Sequence, residues 1–139
     1  MRFWDSSAVV PLLIQQPASS RVDRWLAEDP GLALWTMTPV EITSALWRLV
    51  RAGALTEEDA HAGDIRAQEL AAASHTVADL DAVKAQARRL LRVHALRAAD
   101  AVQLSASLIW AGGRPQGKTL HTLDDRLALV ARREGFEVP

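Results

Sequence analysis

Gly31-Leu32-Ala33-Leu34-Trp35, followed two residues later by Thr38-Pro39-Val40-Glu41-Ile42, decides the fold. The first run is short, apolar and unbroken, the pattern of a strand buried on both faces and central in its sheet. The second sets Thr38 as a cap, proline at the first helical position and Glu41 where a capping box needs it. Ile42, Leu46, Leu49 and Val50 then form one apolar stripe that runs up to Gly53. A buried strand feeding an amphipathic helix is the unit of an α/β sheet, and the rest of the chain repeats it. Upstream, Arg2 to Asp5 reads as a strand and Ser6-Ser7 as a cap. Ala8 to Ile14 reads as a helical segment broken near Pro11 and Pro17, and Ser19 to Glu28 as a second helix. Downstream, helices are expected from Thr56 toward Ser74, over Asp79 to His94, and from Arg97 to Trp110 before Gly112-Gly113. His75-Thr76-Val77, Lys118 to Thr122 and Phe136 to Val138 read as strands, with a helix from Asp124 to Glu134 stopped by Gly135. The fold class is α/β, a mostly parallel sheet between helices.

The chain has 139 residues without linker, repeat or low-complexity tract, so residues 1–139 form a single domain. Sixteen Lys plus Arg against seventeen Asp plus Glu leave a net charge of -1, so a charged partner must be met by a local patch. The absence of cysteine excludes disulfide scaffolds, thiolate zinc sites and cysteine nucleophiles. Asp5 interrupts the start where a signal peptide needs an apolar run, and Ala8 to Ile14 is too short to span a bilayer. A cytoplasmic protein with no membrane attachment is expected.

In open α/β sheets, sites form beyond the carboxyl ends of strands. Asp5 ends the first strand and Asp124 follows the Lys118 to Thr122 strand. Glu41 and Asp100 stand in the first turns of helices with apolar neighbours. Each acid has an ordinary reading: a cap for Asp5, the capping box for Glu41, the helix dipole for Asp100, the start of the last helix for Asp124. Gathered on one rim, however, four carboxylates repel one another unless a cation neutralises them. A hard divalent ion, Mg²⁺ or Mn²⁺, suits oxygen ligands and activates water toward a phosphodiester. Both readings stand at this level.

Four segments together resemble the signature blocks of PIN-domain ribonucleases of the VapC toxin type. They are Phe3-Trp4-Asp5-Ser6-Ser7-Ala8-Val9-Val10, Thr38-Pro39-Val40-Glu41-Ile42, Leu96-Arg97-Ala98-Ala99-Asp100-Ala101-Val102-Gln103-Leu104 and Thr122-Leu123-Asp124-Asp125-Arg126-Leu127. The resemblance runs over essentially the whole chain and implies a PIN-like three-layer fold. It further implies that Asp5, Glu41, Asp100 and Asp124 hold Mg²⁺ or Mn²⁺, with Asp5 and Asp100 as core ligands and Asp125 in reserve for Asp124. Ser7 and Thr122 match the family's supporting hydroxyls, with helix N-caps as their ordinary reading. The implied function is a metal-dependent endoribonuclease, the toxin of a bacterial type II toxin–antitoxin pair. RNA is then the substrate, a small antitoxin protein the partner, and a homodimer the expected assembly. Arg48, seven residues beyond Glu41 on the same helical face, and Arg97, one turn before Asp100, are candidate RNA contacts, beside their plain reading as solvated arginines.

The alternative is a catalytically silent module whose acidic pocket engages a protein. A weaker rival is Gly112-Gly113-Arg114-Pro115-Gln116-Gly117-Lys118-Thr119, which satisfies the P-loop pattern GxxxxGK[ST] but follows a helix and precedes a strand, the reverse of what a P-loop needs. The four histidines show no metal spacing. Arg88, Arg89 and Arg92 read as a solvated helix face, and Trp47 as a core residue or an anchor for a dimer or antitoxin contact.

Overall fold

A computed structural model describes residues 1–139. The chain runs β1 (Arg2–Trp4), α1 (Ser6–Leu13), α2 (Ser19–Glu28), β2 (Leu32–Trp35), α3 (Thr38–Arg51), α4 (Glu57–Ala72) and β3 (His75–Val77). It continues through α5 (Leu80–Val93), α6 (Ala98–Trp110), β4 (Leu120–His121) and α7 (Asp125–Glu134). The four strands lie in the order β3-β2-β1-β4 and every pairing is parallel. β2 is interior and buried throughout, as its unbroken apolar run requires.

Period-two alternation distributes the strand side chains between two cores. Trp4, Leu32 and Leu34 pack with α1 to α4, where Val9, Val22, Ile42, Leu46 and Ala67 meet. Phe3, Ala33, Trp35 and Val77 face the other way, onto Leu90 of α5, Leu104 of α6 and Leu127 of α7. The sheet is therefore the middle of three layers.

Several local expectations are corrected. Pro11 lies inside α1 rather than breaking it. Proline removes its own N–H bond and crowds the preceding turn, but Ile14 N still donates to Val10 O at 3.1 Å and packing against α2, α3 and α4 holds the eight-residue helix together. Asp5, not Ser6-Ser7, caps α1. No capping box forms on α3: Met37 is the N-cap, and the Thr38 hydroxyl is buried without a partner. β4 shrinks to two residues, and the expected last strand is a single parallel bridge between Thr119 and Glu137. Of the arginine run, Arg88 and Arg92 are solvated, but Arg89 reaches Glu134 of α7 at 2.5 Å. No helix is long and apolar enough to cross a membrane.

Candidate active site

The carboxyl ends of β1 and β4 and the first turns of α3 and α6 surround an open cleft of about 790 Å³. Asp5, Glu41, Asp100 and Asp124 all line it, so the structure brings together the four acids picked from sequence. Parallel pairing does the first part of this work. Trp4 sits opposite His121, and Asp5 N donates to His121 O at 2.9 Å, so Asp5 and Thr122 leave adjacent strands side by side.

Asp5 is only 5% exposed and its carboxylate is heavily engaged. Oδ2 accepts from Ser7 N at 3.2 Å, from Thr122 Oγ1 at 2.9 Å and from the Ser7 hydroxyl. Oδ1 accepts from Gln103 Nε2 at 2.8 Å and from Ser6 Oγ at 3.4 Å. Asp5 thus caps α1 and is fixed in the cleft by the same bonds. The two hydroxyls act across elements: Ser7 Oγ accepts from Leu123 N at 2.9 Å, and Thr122 Oγ1 accepts from Asp124 N at 3.1 Å. They tie the start of α1 to the turn that carries Asp124.

Glu41 turns away from its own helix end, and its Oε2 accepts from Gln103 Nε2 at 3.0 Å. Burial, then the charges of Asp5 and Asp100, push its carboxyl up to about 7, while Ser6 and Gln103 donors oppose the rise. Asp100 is raised by burial first and by Asp124 and Asp5 next, with the Arg97 backbone and charge opposing. Asp124 caps α7 through Oδ1, which accepts from Arg126 N at 2.8 Å and Leu127 N at 3.0 Å; no protein donor binds Oδ2. Asp125 is exposed and outside the cleft, so the first acid of the pair is the one placed with the others.

Arg48 is the single cation lining the cleft, on the α3 wall. Arg97 is exposed at the N-cap of α6, next to Asp100 but outside the lining. Trp47 packs against the α1 to α4 core and edge-on to His61 of α4, at 4.9 Å between rings. No histidine lines the cleft. The glycine-rich 112–119 segment leads straight into β4 and not into a helix, so its amides form no helix N-terminus for phosphate. Sequence reasoning missed Gln103, which bridges Asp5 and Glu41; the signal available was a lone amide in the apolar run of α6, three residues after Asp100 and so on its face.

Buried charges are normally paired or coordinate metals. The molecule's ion pairs involve Asp29, Glu28, Asp81 and Glu134, and none reaches a cleft acid. Asp5 is therefore a buried carboxylate with no protein cation beside it. No three of the acids form a group able to hold a metal ion as they stand, so the cleft contains no preformed cage. Mg²⁺ does not require one, because it keeps several waters and takes one or two carboxylates in an open site. An all-oxygen donor set in a solvent-open cleft fits such an ion.

No protein-family model matches the chain. Two curated proteins of Mycobacterium tuberculosis, Ribonuclease VapC45 of strain CDC 1551 / Oshkosh and Ribonuclease VapC49 of strain ATCC 25618 / H37Rv, are each 34% identical to it over 137 residues, 98% of this chain and 92% of the relative. Among solved structures, PAE2754 from Pyrobaculum aerophilum matches with a TM-score of 0.59 at 22% identity, over 97% of this chain and 81% of that one. FitAcB from Neisseria gonorrhoeae matches with a TM-score of 0.63 at 21% identity, over 99% and 96%. These two likenesses carry the fold, while identity along nearly the full length of both partners carries the family. With four acids of the expected blocks gathered in one cleft of a parallel α/β sheet, the chain belongs to the VapC family of PIN-domain ribonucleases.

Proposed function

We propose that this protein is a metal-dependent endoribonuclease that hydrolyses RNA phosphodiester bonds, using Mg²⁺ or Mn²⁺ held by Asp5, Glu41, Asp100 and Asp124. The observation that carries the reading is the buried, cation-free Asp5 carboxylate in one cleft with three further acids. A divalent ion bound there supplies neutralising charge and an activated water for attack on phosphorus. Asp5, immobilised by Ser7, Thr122 and Gln103, is the most rigid of the ligands. Asp124 offers its unengaged Oδ2, and Asp100 lines the same cleft from α6. Ser7 and Thr122 orient Asp5 and need not touch substrate. Arg48, which lines the cleft, is read as a contact for an RNA phosphate beside the acids, and Arg97, at the α6 N-cap, as one for a phosphate outside it. In the cell the protein is read as the cytoplasmic toxin of a type II pair, restrained by a small antitoxin and assembled as a homodimer, a reading supported by family membership.

The test is cleavage of a mixed cellular RNA pool by the purified protein with Mg²⁺ or Mn²⁺, beside EDTA and an Asp5→Asn variant. Cuts are expected with metal, none with EDTA, and a loss of about 100-fold or more in the variant. Cuts that persist in EDTA and in Asp5→Asn overturn the proposal. So does the absence of cuts across several RNA classes.

A further inference from the structure

α6 brings one more polar side chain to the cleft, and the ribonuclease reading leaves its function open. Gln103 is 3% exposed, and its Nε2 lies 2.8 Å from Asp5 Oδ1 and 3.0 Å from Glu41 Oε2. An amide nitrogen has two N–H groups, and here both go to carboxylates of different elements. The Gln103 Oε1 atom is buried and has no donor at all. Turning the amide over would set that oxygen against two carboxylates, so the acids dictate the orientation and the carbonyl is left unsatisfied as a result. A residue present only to fill the buried face of α6, as Ala101, Leu104 and Leu108 do, would carry no such cost.

From this geometry we infer that Gln103 is a positioning residue: it ties Asp5 to Glu41 at a set separation and so preorganises the two carboxylates for a shared divalent cation. Asp5 keeps donors in Ser7 and Thr122, whereas Glu41 keeps only Ser6 beside it, so loss of Gln103 loosens Glu41 above all. The amide is neutral and leaves the negative charge of the acids intact for the cation. The inference rests on the metal-site reading proposed above.

Calorimetric titration of the metal-free protein with Mn²⁺ tests it, using wild type, Asp5→Asn, Gln103→Leu and Gln103→Met, with thermal melts in EDTA to check folding. Wild type is expected to bind and Asp5→Asn to lose binding. Both Gln103 variants are expected to fold and to bind Mn²⁺ about tenfold or more weakly, the usual consequence of removing a partner of a metal-ligating carboxylate. A purely structural glutamine would lower the melting temperature and leave the Mn²⁺ affinity of the folded protein unchanged. That result overturns the inference while the metal site stands, and so does failure of both variants to fold. If wild type itself binds no Mn²⁺, the metal-site reading fails and takes the inference with it.

Discussion

His121 of β4 packs against two indoles, its ring 4.4 Å from Trp25 in a near-parallel stack and 4.5 Å from Trp4. It is fully buried, and its Nδ1 has no hydrogen-bond partner. Burial, with the Arg2 charge next, lowers its pKa from 6.5 to about 4, against smaller opposing effects of Glu28 and Asp29. The unfolded chain therefore takes up a proton near pH 6.5 that the folded one refuses until about pH 4, so stability contributed by neutral His121 is lost as pH falls across that window. The loss is on the order of 3 kcal/mol. His121→Phe keeps a ring in the stack, and denaturant unfolding at pH 7 and pH 4.5 is expected to show a smaller drop in that variant than in wild type. Asp100 is the complementary case. Its carboxyl is destabilised by burial and by Asp124, so Asp100→Asn is expected to abolish RNA cleavage while holding or raising the melting temperature in EDTA. A melting temperature several degrees lower than wild type would show that the cleft acids do not repel.

At the scale of elements, two contacts join helices distant in sequence. Glu134 at the end of α7 accepts from Arg89 of α5 at 2.5 Å and meets His94, the α5 C-cap, at 2.6 Å. Burial alone would raise the Glu134 carboxyl, but the Arg89 and His94 hydrogen bonds outweigh it and hold the pKa below 4.5. Stability from this depressed carboxyl is present above pH 4.5 and is lost as pH falls through the folded value. Glu134→Gln is expected to cost about 1–2 kcal/mol at pH 7, after allowance for the partly exposed Arg89, and to flatten the unfolding profile below pH 4.5. On the other face, α3 and α4 approach closely because Gly63 has no Cβ; one built there would lie 3.2 Å from Leu46 Cδ1. Leu46 is completely buried, so Leu46→Ala is expected to cost about 2–5 kcal/mol in denaturant unfolding.

For the whole molecule, a cation that binds only the folded state must stabilise it, by about 2.7 kcal/mol at a hundred times its dissociation constant. Mn²⁺ is expected to raise the melting temperature of wild type and not that of Asp5→Asn. ATP with Mg²⁺ should do no more than Mg²⁺ alone, since the 112–119 loop leads into β4 rather than into a helix. An ATP-specific rise would restore the P-loop reading.

What was legible in the sequence is what neighbouring residues decide. The unbroken Leu32–Trp35 run, the amphipathic stripe of α3, the glycine stop after α7 and the acids at element ends all follow from local periodicity and capping chemistry. So do the four block resemblances, because the four cleft acids stand next to the turns that place them. The tertiary structure decided what depends on separate elements meeting. Pro11 stays helical because α2, α3 and α4 pack around α1, and Thr38 gives up its capping box as Glu41 bonds to Gln103 on α6. Asp124 joins the cleft and Asp125 does not, because one side chain caps α7 facing inward and the next begins its exposed face. Gln103 finds both of its partners 98 and 62 residues away. Local free energies are written in adjacent side chains, whereas the separation of two carboxylates on different strands and helices is set only when the sheet between them closes.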